Sequence, residues 1–230
     1  MSPGEPTNPS LSGRLGAVQT AVLDAARQAG RDGSDITTIV VTKFQPAGLV
    51  RELAALGVRD FGENRHQEAS AKAAAVADLD LVWHFVGQLQ SKKARQARTY
   101  ASVIHSLDRE SVIDALASPD SVVDGFVQLN LTDDPGRGGV DDSDLERVAE
   151  RVLATEGLRL LGVMAVAPLG EQPRRAFERV RAASARLVAI DPAARFISAG
   201  MSGDFREAIL EGATHLRIGS AITGNRQAPG

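Results

Sequence analysis

Residues 36–63 read ITTIVVTKFQPAGLVRELAALGVRDFGE, and the fold turns on them. The stretch opens with a β-branched run, residues 36–41, suited to a buried strand. Residues 49–56 carry apolar positions at helical spacing, and residues 58–61 form a second short apolar run. Two strands joined through a helix lie parallel, because only a crossover of this length returns the chain to the same edge.

The unit recurs along the chain. Strands are expected at 81–86, 103–105, 122–129, 158–163, 195–197 and 214–218. Helices are expected between them at 67–76, 92–97, 109–116, 143–154, 174–188 and 205–210, the one at 143–154 opening with a capping box, Ser143 to Glu146. Upstream, Leu15, Val18, Val22, Ala25 and Ala29 keep a helical period that Gly30 stops. Eight strands alternating with helices predict a single-domain α/β fold, the (β/α)₈ TIM barrel. A doubly wound open sheet is the alternative, but no G-x-G-x-x-G follows the first strand. The Pro-, Gly- and Ser-rich residues 1–10 are expected to be a disordered tail, and residues 11–230 the barrel.

Composition narrows the function classes. The chain has 230 residues, 43% hydrophobic and 24% charged, with a net charge of −3. That is ordinary globular composition, with no general attraction to nucleic acid or to an anionic membrane. No signal peptide or membrane-length apolar run is present. The absence of cysteine removes disulfides and thiol chemistry, and a reducing cytoplasm is the simplest home. No His and carboxylate cluster has metal-ligand spacing, so no metal is expected.

Parallel barrels gather their chemistry where strands end. The polar residues expected there are Thr42 and Lys43, then Glu63, Asn64 and Arg65, then His84 and Gln88. His105 and Ser106, Asn130 and Thr132, Met164, Ser198 with Gly200 to Ser202, and Arg217 with Gly219 and Ser220 complete the set. Lys43 is the sharpest signal. A lysine closing a buried strand sits near low dielectric, which favours the neutral, nucleophilic amine that Schiff-base chemistry requires. A rim lysine with its head in water is the plain alternative. Lys72, Lys92 and Lys93 read as members of charged helical faces. Gly200-Met-Ser-Gly203 and Gly219-Ser220 fall after strands seven and eight, the usual phosphate site of such barrels, where backbone N–H groups can approach an anion. Arg217, two residues before Gly219, would aim a fixed donor into the mouth if it faces inward. His84 fits a hydrogen-bonded core histidine equally well, and His66 and His215 read as surface or packing residues. A lysine and a phosphate cradle in one mouth leave two chemistries: a phosphorylated carbonyl substrate held as in an aldolase, or pyridoxal 5′-phosphate (PLP).

The ordered set V-T-K (41–43), F-G-E-N (61–64), W-H-F-V-G-Q-L-Q (83–90), G-V-M-A-V-A-P (162–168), G-M-S-G-D-F (200–205) and R-I-G-S-A-I-T-G (217–224) resembles the PLP homeostasis protein family over residues 13–226. That family's fold is similar to the N-terminal barrel of alanine racemase, without that enzyme's second domain. The resemblance implies that Lys43 forms the internal aldimine with PLP and that Arg217 meets the pyridine nitrogen. It places Ser202, Gly219 and Ser220 on the phosphate with Met201 and Ser198 close by. Asn64, His84 and Met164 would line the cofactor pocket. It implies a carrier or regulator of intracellular PLP, with apo PLP-dependent enzymes as recipients and no catalytic reaction of its own. A monomer is expected. The sequence departs from the family at Phe44-Gln45-Pro46, where many members read T-K-P, and at Arg65-His66, where Tyr usually follows G-E-N. The usual S-M-G-M-S reads Ser198-Ala-Gly-Met-Ser202. Arg137 stands where a lysine is frequent, and arginine cannot form a Schiff base.

A PLP-dependent racemase or decarboxylase is the competing reading. A two-base racemase needs an acid/base group opposite the lysine, which in alanine racemase is a tyrosine of the other domain. Tyr100 is the only tyrosine here, and its place after the fourth helix predicts a position at the barrel's bottom face.

Overall fold

The computed structural model of the chain describes residues 9–132 and 134–224. Eight parallel strands close into a barrel in sequence order, with β1 beside β8. They are β1 (Thr37–Val41), β2 (Asp60–Glu63), β3 (Val82–Phe85), β4 (Val103–Leu107), β5 (Val123–Gln128), β6 (Leu158–Met164), β7 (Phe196–Ser198) and β8 (His215–Ile218). Helix α1 (Leu11–Gln28) precedes the barrel. Then come α2 (Ala47–Ala55), α3 (His66–Ala75), α4 (Ser91–Ala97), α5 (Glu110–Leu116), α6 (Leu145–Leu153), α7 (Pro173–Ile190), α8 (Phe205–Leu210) and α9 (Ser220–Thr223). The expected (β/α)₈ architecture is therefore the observed one.

Two apolar regions support the barrel. The larger lies between strands and helices and includes Val40, Phe61, Phe85, Ile104, Leu160 and Leu216. The smaller fills the barrel interior with Val103, Phe126 and Met164, flanked by Val82, Leu161 and Phe196. The interior also holds polar side chains, with His84, His105, Ser198 and Arg217 all buried. Strand alternation sets this division: neighbouring residues of one strand face opposite sides of the wall. Gly162, in the β6 segment that pairs with β7, has φ +149°, and a Cβ there would overlap the Phe196 carbonyl oxygen.

The element boundaries correct several expectations. α1 begins at Leu11, where the Ser10 side chain accepts the Gly13 N–H at 3.1 Å. The tail expected over residues 1–10 lies mostly outside the described residues, which begin at residue 9. β2 starts two residues later than expected, because Val58 is still part of the turn that closes onto α2 through its N–H to Leu53 O. β4 runs on to Leu107, so His105 and Ser106 lie inside the strand. The capping box does not form. Residues 142–144 make a 3₁₀ turn, α6 starts at Leu145, and Arg186 of α7 takes both the Asp142 and Glu146 carboxylates. The one-turn helix α9 was not expected. It is held from below by Arg14 of α1, whose Nε donates to Ile222 O at 2.7 Å.

Candidate functional site

Lys43 stands two residues beyond the end of β1 and is exposed at the barrel mouth. The dry surroundings inferred from its strand position are absent. What fixes its place is the backbone around it. Phe44 has φ +65°, an unfavourable conformation for a non-glycine residue, and its N–H donates to Glu68 Oε1 at 2.5 Å. Lys43 lines a cleft of about 230 Å³ together with Val41, Phe44, Gln45, Gly219, Ser220 and Thr223. The amine and the loop after β8 therefore share one cleft.

The two glycine-bearing loops are joined. Ser202 Oγ, from the loop after β7, accepts the Ala221 N–H of α9 at 3.3 Å and lies 3.5 Å from Ser220 Oγ. Gly200 has φ +91°, and a Cβ there would lie 2.9 Å from Phe205 Cα, so only glycine lets this loop close onto α8. Asp204 holds the loop's shape by accepting the Met201 N–H at 2.6 Å. Burial raises the Asp204 carboxyl above its usual range, while that hydrogen bond and Arg217 pull it down. A Cβ at Gly203 would meet nothing within 4 Å, so the loop faces open space there. In α9 the Ile222 and Thr223 N–H groups donate to Gly219 O, while the Ala221 N–H is the one given to Ser202.

Arg217 sits on β8 opposite Ile39 of β1, inside the barrel and 5% exposed. Its Nη1 donates to Ser198 Oγ at 2.5 Å and its Nη2 to Ala165 O at 2.8 Å. Burial lowers its pKa to about 10, with Asp204 acting in the opposite sense, so it is a cation at neutral pH. Of the two orientations open from sequence, the inward one is observed. Ser198 continues inward to His105 Nδ1 at 2.8 Å, His105 Nε2 meets His84 Nδ1 at 3.0 Å, and His84 Nε2 meets Asp60 Oδ1 at 3.0 Å. His84 is thus a hydrogen-bonded core histidine with both ring nitrogens engaged. Met164 lies beside Phe126 and Val103 in the interior, whereas Met201 is 39% exposed on the loop. The Asn64 Oδ1 is buried without a hydrogen-bond partner at the end of β2.

Two residues expected at the mouth face away from it. Thr42 and Glu63 point outward, toward α3, where Thr42 Oγ1 donates to Glu63 Oε1 at 2.7 Å. Lys72, read from sequence as part of a charged helical face, is 5% exposed. Its Nζ donates to Glu63 Oε1 at 2.6 Å, Glu68 Oε1 at 2.7 Å and Thr42 O at 2.6 Å. The sequence signal for this brace was the four-residue spacing of Glu68 and Lys72 on one helix. Tyr100 also needs correction. Its hydroxyl lies 3.3 Å from His66 Nδ1 at the start of α3, so its ring reaches upward instead of ending at the bottom face. It lies outside the barrel wall, where burial raises its pKa. A larger cavity, about 680 Å³, opens at the opposite end of the barrel beside Thr37, Asp124, Arg195 and His215, away from Lys43.

The profile of the alanine racemase N-terminal domain family matches residues 15–227. The pyridoxal phosphate homeostasis protein of Corynebacterium glutamicum is 38% identical over 218 residues, covering 90% of this chain and 98% of the relative. The chain belongs to the pyridoxal phosphate homeostasis protein family. Among solved structures, PipY of Synechococcus elongatus PCC7942 with PLP bound is 33% identical, with a TM-score of 0.82 over 94% of this chain and all of that one. Alanine racemase from Corynebacterium glutamicum shares the fold at 16% identity and a TM-score of 0.70, this chain covering 60% of it. Family membership selects PLP over the aldolase-type alternative that the mouth left open.

Proposed function

We propose that this chain holds PLP covalently on Lys43 and serves as its intracellular carrier, delivering it to apo-enzymes that require it. The carrying observation is that one barrel mouth presents a primary amine, a buried guanidinium and two joined serine–glycine loops. These groups match the aldehyde, ring nitrogen and phosphate of PLP. Bound PLP supplies an aldehyde that condenses with a primary amine and releases water.

The residues fit that group. Arg217 spends one N–H each on Ser198 and Ala165 and keeps others for an acceptor such as the pyridine nitrogen. Ser202, Gly219 and Ser220 suit the phosphate, with Gly203 open beside them, and the orphaned Asn64 carbonyl suits a polar substituent of the ring. His84, engaged at both nitrogens, acts on the pocket through His105 and not by direct contact. Arg217 is a pure donor, so it leaves the ring nitrogen unprotonated and weakens the ring as an electron sink. Storage is favoured over amino-acid chemistry. The names of the relatives and the PLP bound to PipY support the same reading. It extends to a cytoplasmic monomer. Among the described residues no helix is long and apolar enough to cross a membrane.

The test is chemical. Borohydride reduction of the PLP-loaded protein followed by peptide mapping is expected to place the adduct on Lys43, and Lys43→Ala to abolish the visible absorbance. An adduct on Lys72, Lys92 or Lys93 with Lys43 unmodified would overturn the assignment.

A further inference from the structure

The barrel interior carries an unbroken hydrogen-bonded chain from its lower end to the mouth: Asp60, His84, His105, Ser198, Arg217. Its four contacts measure 3.0, 3.0, 2.8 and 2.5 Å. His84, His105, Ser198 and Arg217 are each at most 5% exposed, whereas the Asp60 side chain is 30% exposed and reaches solvent.

Donor and acceptor counting gives the chain a direction. An ionised Asp60 only accepts, so His84 carries a proton on Nε2, and with a single proton on that ring Nδ1 is an acceptor. His105 must then donate from Nε2 and accept at Nδ1. The partner at that nitrogen is Ser198, whose hydroxyl donates its single proton there. The Ser198 lone pairs are left to accept from Arg217, which has no acceptor of its own. Each link fixes the next, and Phe126, stacked on His105 with centroids 4.7 Å apart, keeps the centre dry. Burial above all holds His105 well below its ordinary pKa, in keeping with a neutral ring. Without Asp60 the two histidines lose the group that selects their tautomers. The reversed arrangement, with His105 donating to Ser198, becomes available. Ser198 then has a proton to place elsewhere, and it competes with Arg217 for acceptors at the mouth.

We propose that Asp60 is a positioning residue for the ring of the bound cofactor: acting through His84, His105 and Ser198, it sets the orientation in which Arg217 presents an N–H to the pyridine nitrogen. The proposal rests on the reading that Arg217 faces that nitrogen.

Two measurements separate the two claims. The first uses the apo-protein and ¹⁵N-histidine NMR. His84 and His105 are expected as Nε2–H tautomers in the wild type and as mixtures in Asp60→Ala. Asp60→Asn, whose amide oxygen accepts the same N–H, is expected to restore the wild-type pattern. An Nδ1–H tautomer at His105 in the wild type would overturn the proposal. The second compares affinity for PLP with that for its analogue bearing a C–H in place of the pyridine nitrogen. The wild type is expected to favour PLP, and Asp60→Ala and Ser198→Ala to lower that preference by about tenfold, the worth of one charge-assisted hydrogen bond. Asp60→Asn should keep the preference, which guards against a folding defect in the alanine variant. A wild type that discriminates while Asp60→Ala discriminates equally well overturns the role of Asp60 alone. A wild type that fails to discriminate overturns the Arg217 reading and this proposal with it, leaving the Lys43 adduct as an independent matter.

Discussion

His215 opens β8 in the lower interior, edge-on to Phe126 and Phe196 and 2.9 Å from Thr214 Oγ1. Burial, reinforced by His84 and Arg217 and only partly offset by Asp60, lowers its pKa from 6.5 to about 4. The native state therefore resists a proton that the unfolded chain accepts. The corresponding stability is intact above about pH 6.5 and falls as the pH drops toward 4, amounting to roughly 3 kcal/mol over the window. His105 shifts in the same direction and extends the loss. His215→Phe keeps the aromatic packing and removes the titration. Urea midpoints between pH 4 and 6.5 are expected to show a shallower slope in that variant, by up to about 1.4 kcal/mol per pH unit. An unchanged slope would mean that the ring titrates alike in both states. Local sequence gave no hint of this. A lone His beside Thr214 looks like any edge residue, and only closure of the barrel surrounds it.

α3 illustrates how an element can be read correctly in outline and wrongly in its facing. Its alanine-rich composition and length were legible. Its buried cation was not, because Lys72 pairs with a residue on β2 and a carbonyl on β1. Burial pushes the Glu63 carboxyl above its usual range, with hydrogen bonds from Lys72 and Thr42 pulling it back. Removing one member of such a pair leaves a buried group unmatched and typically costs ~3–5 kcal/mol. Lys72→Met is expected to destabilise by that order in urea unfolding at pH 7. Adding Glu63→Gln should recover part of the loss, since the surviving side chain is then neutral. Equal stabilities for wild type and Lys72→Met would show that the brace contributes nothing. Because Lys72 also holds Thr42 O and Glu68 holds the Phe44 N–H, the single variant should also weaken the PLP binding proposed at Lys43.

The whole barrel presents an open mouth: Lys43, Met201 and Ser220 are all exposed. Tyr100 stands outside the wall against His66, on the far side of the sheet from Lys43. The tyrosine that would serve a two-base racemisation is therefore not over the pocket. Positioned acid–base groups contribute ~10²–10⁴-fold to such rates. Alanine and a panel of other amino acids, followed by chiral chromatography, are expected to show no turnover near an ordinary enzymic ~10 s⁻¹. The loaded protein is expected to reactivate an apo PLP enzyme at limiting free PLP. Racemisation at enzymic rates would overturn the carrier reading, and failure to reactivate any apo-enzyme would remove the delivery role.

Strict alternation of β-branched runs and helical segments was enough to specify a parallel eight-stranded barrel, because a strand, a crossover helix and a parallel strand have one economical continuation. The position of Lys43, Ser202 and Gly219 in loops past strand ends, and of Arg217 within β8, was legible too. Facing was not legible. Closure of the barrel decided that Glu63 and Thr42 look toward the helices while Asp60, His84 and His105 look inward. Side chains alternate with period two, so an error in where a strand begins also misplaces which residues count as its end. The interior chain joins residues far apart in sequence, and no local pattern encodes which of them meet.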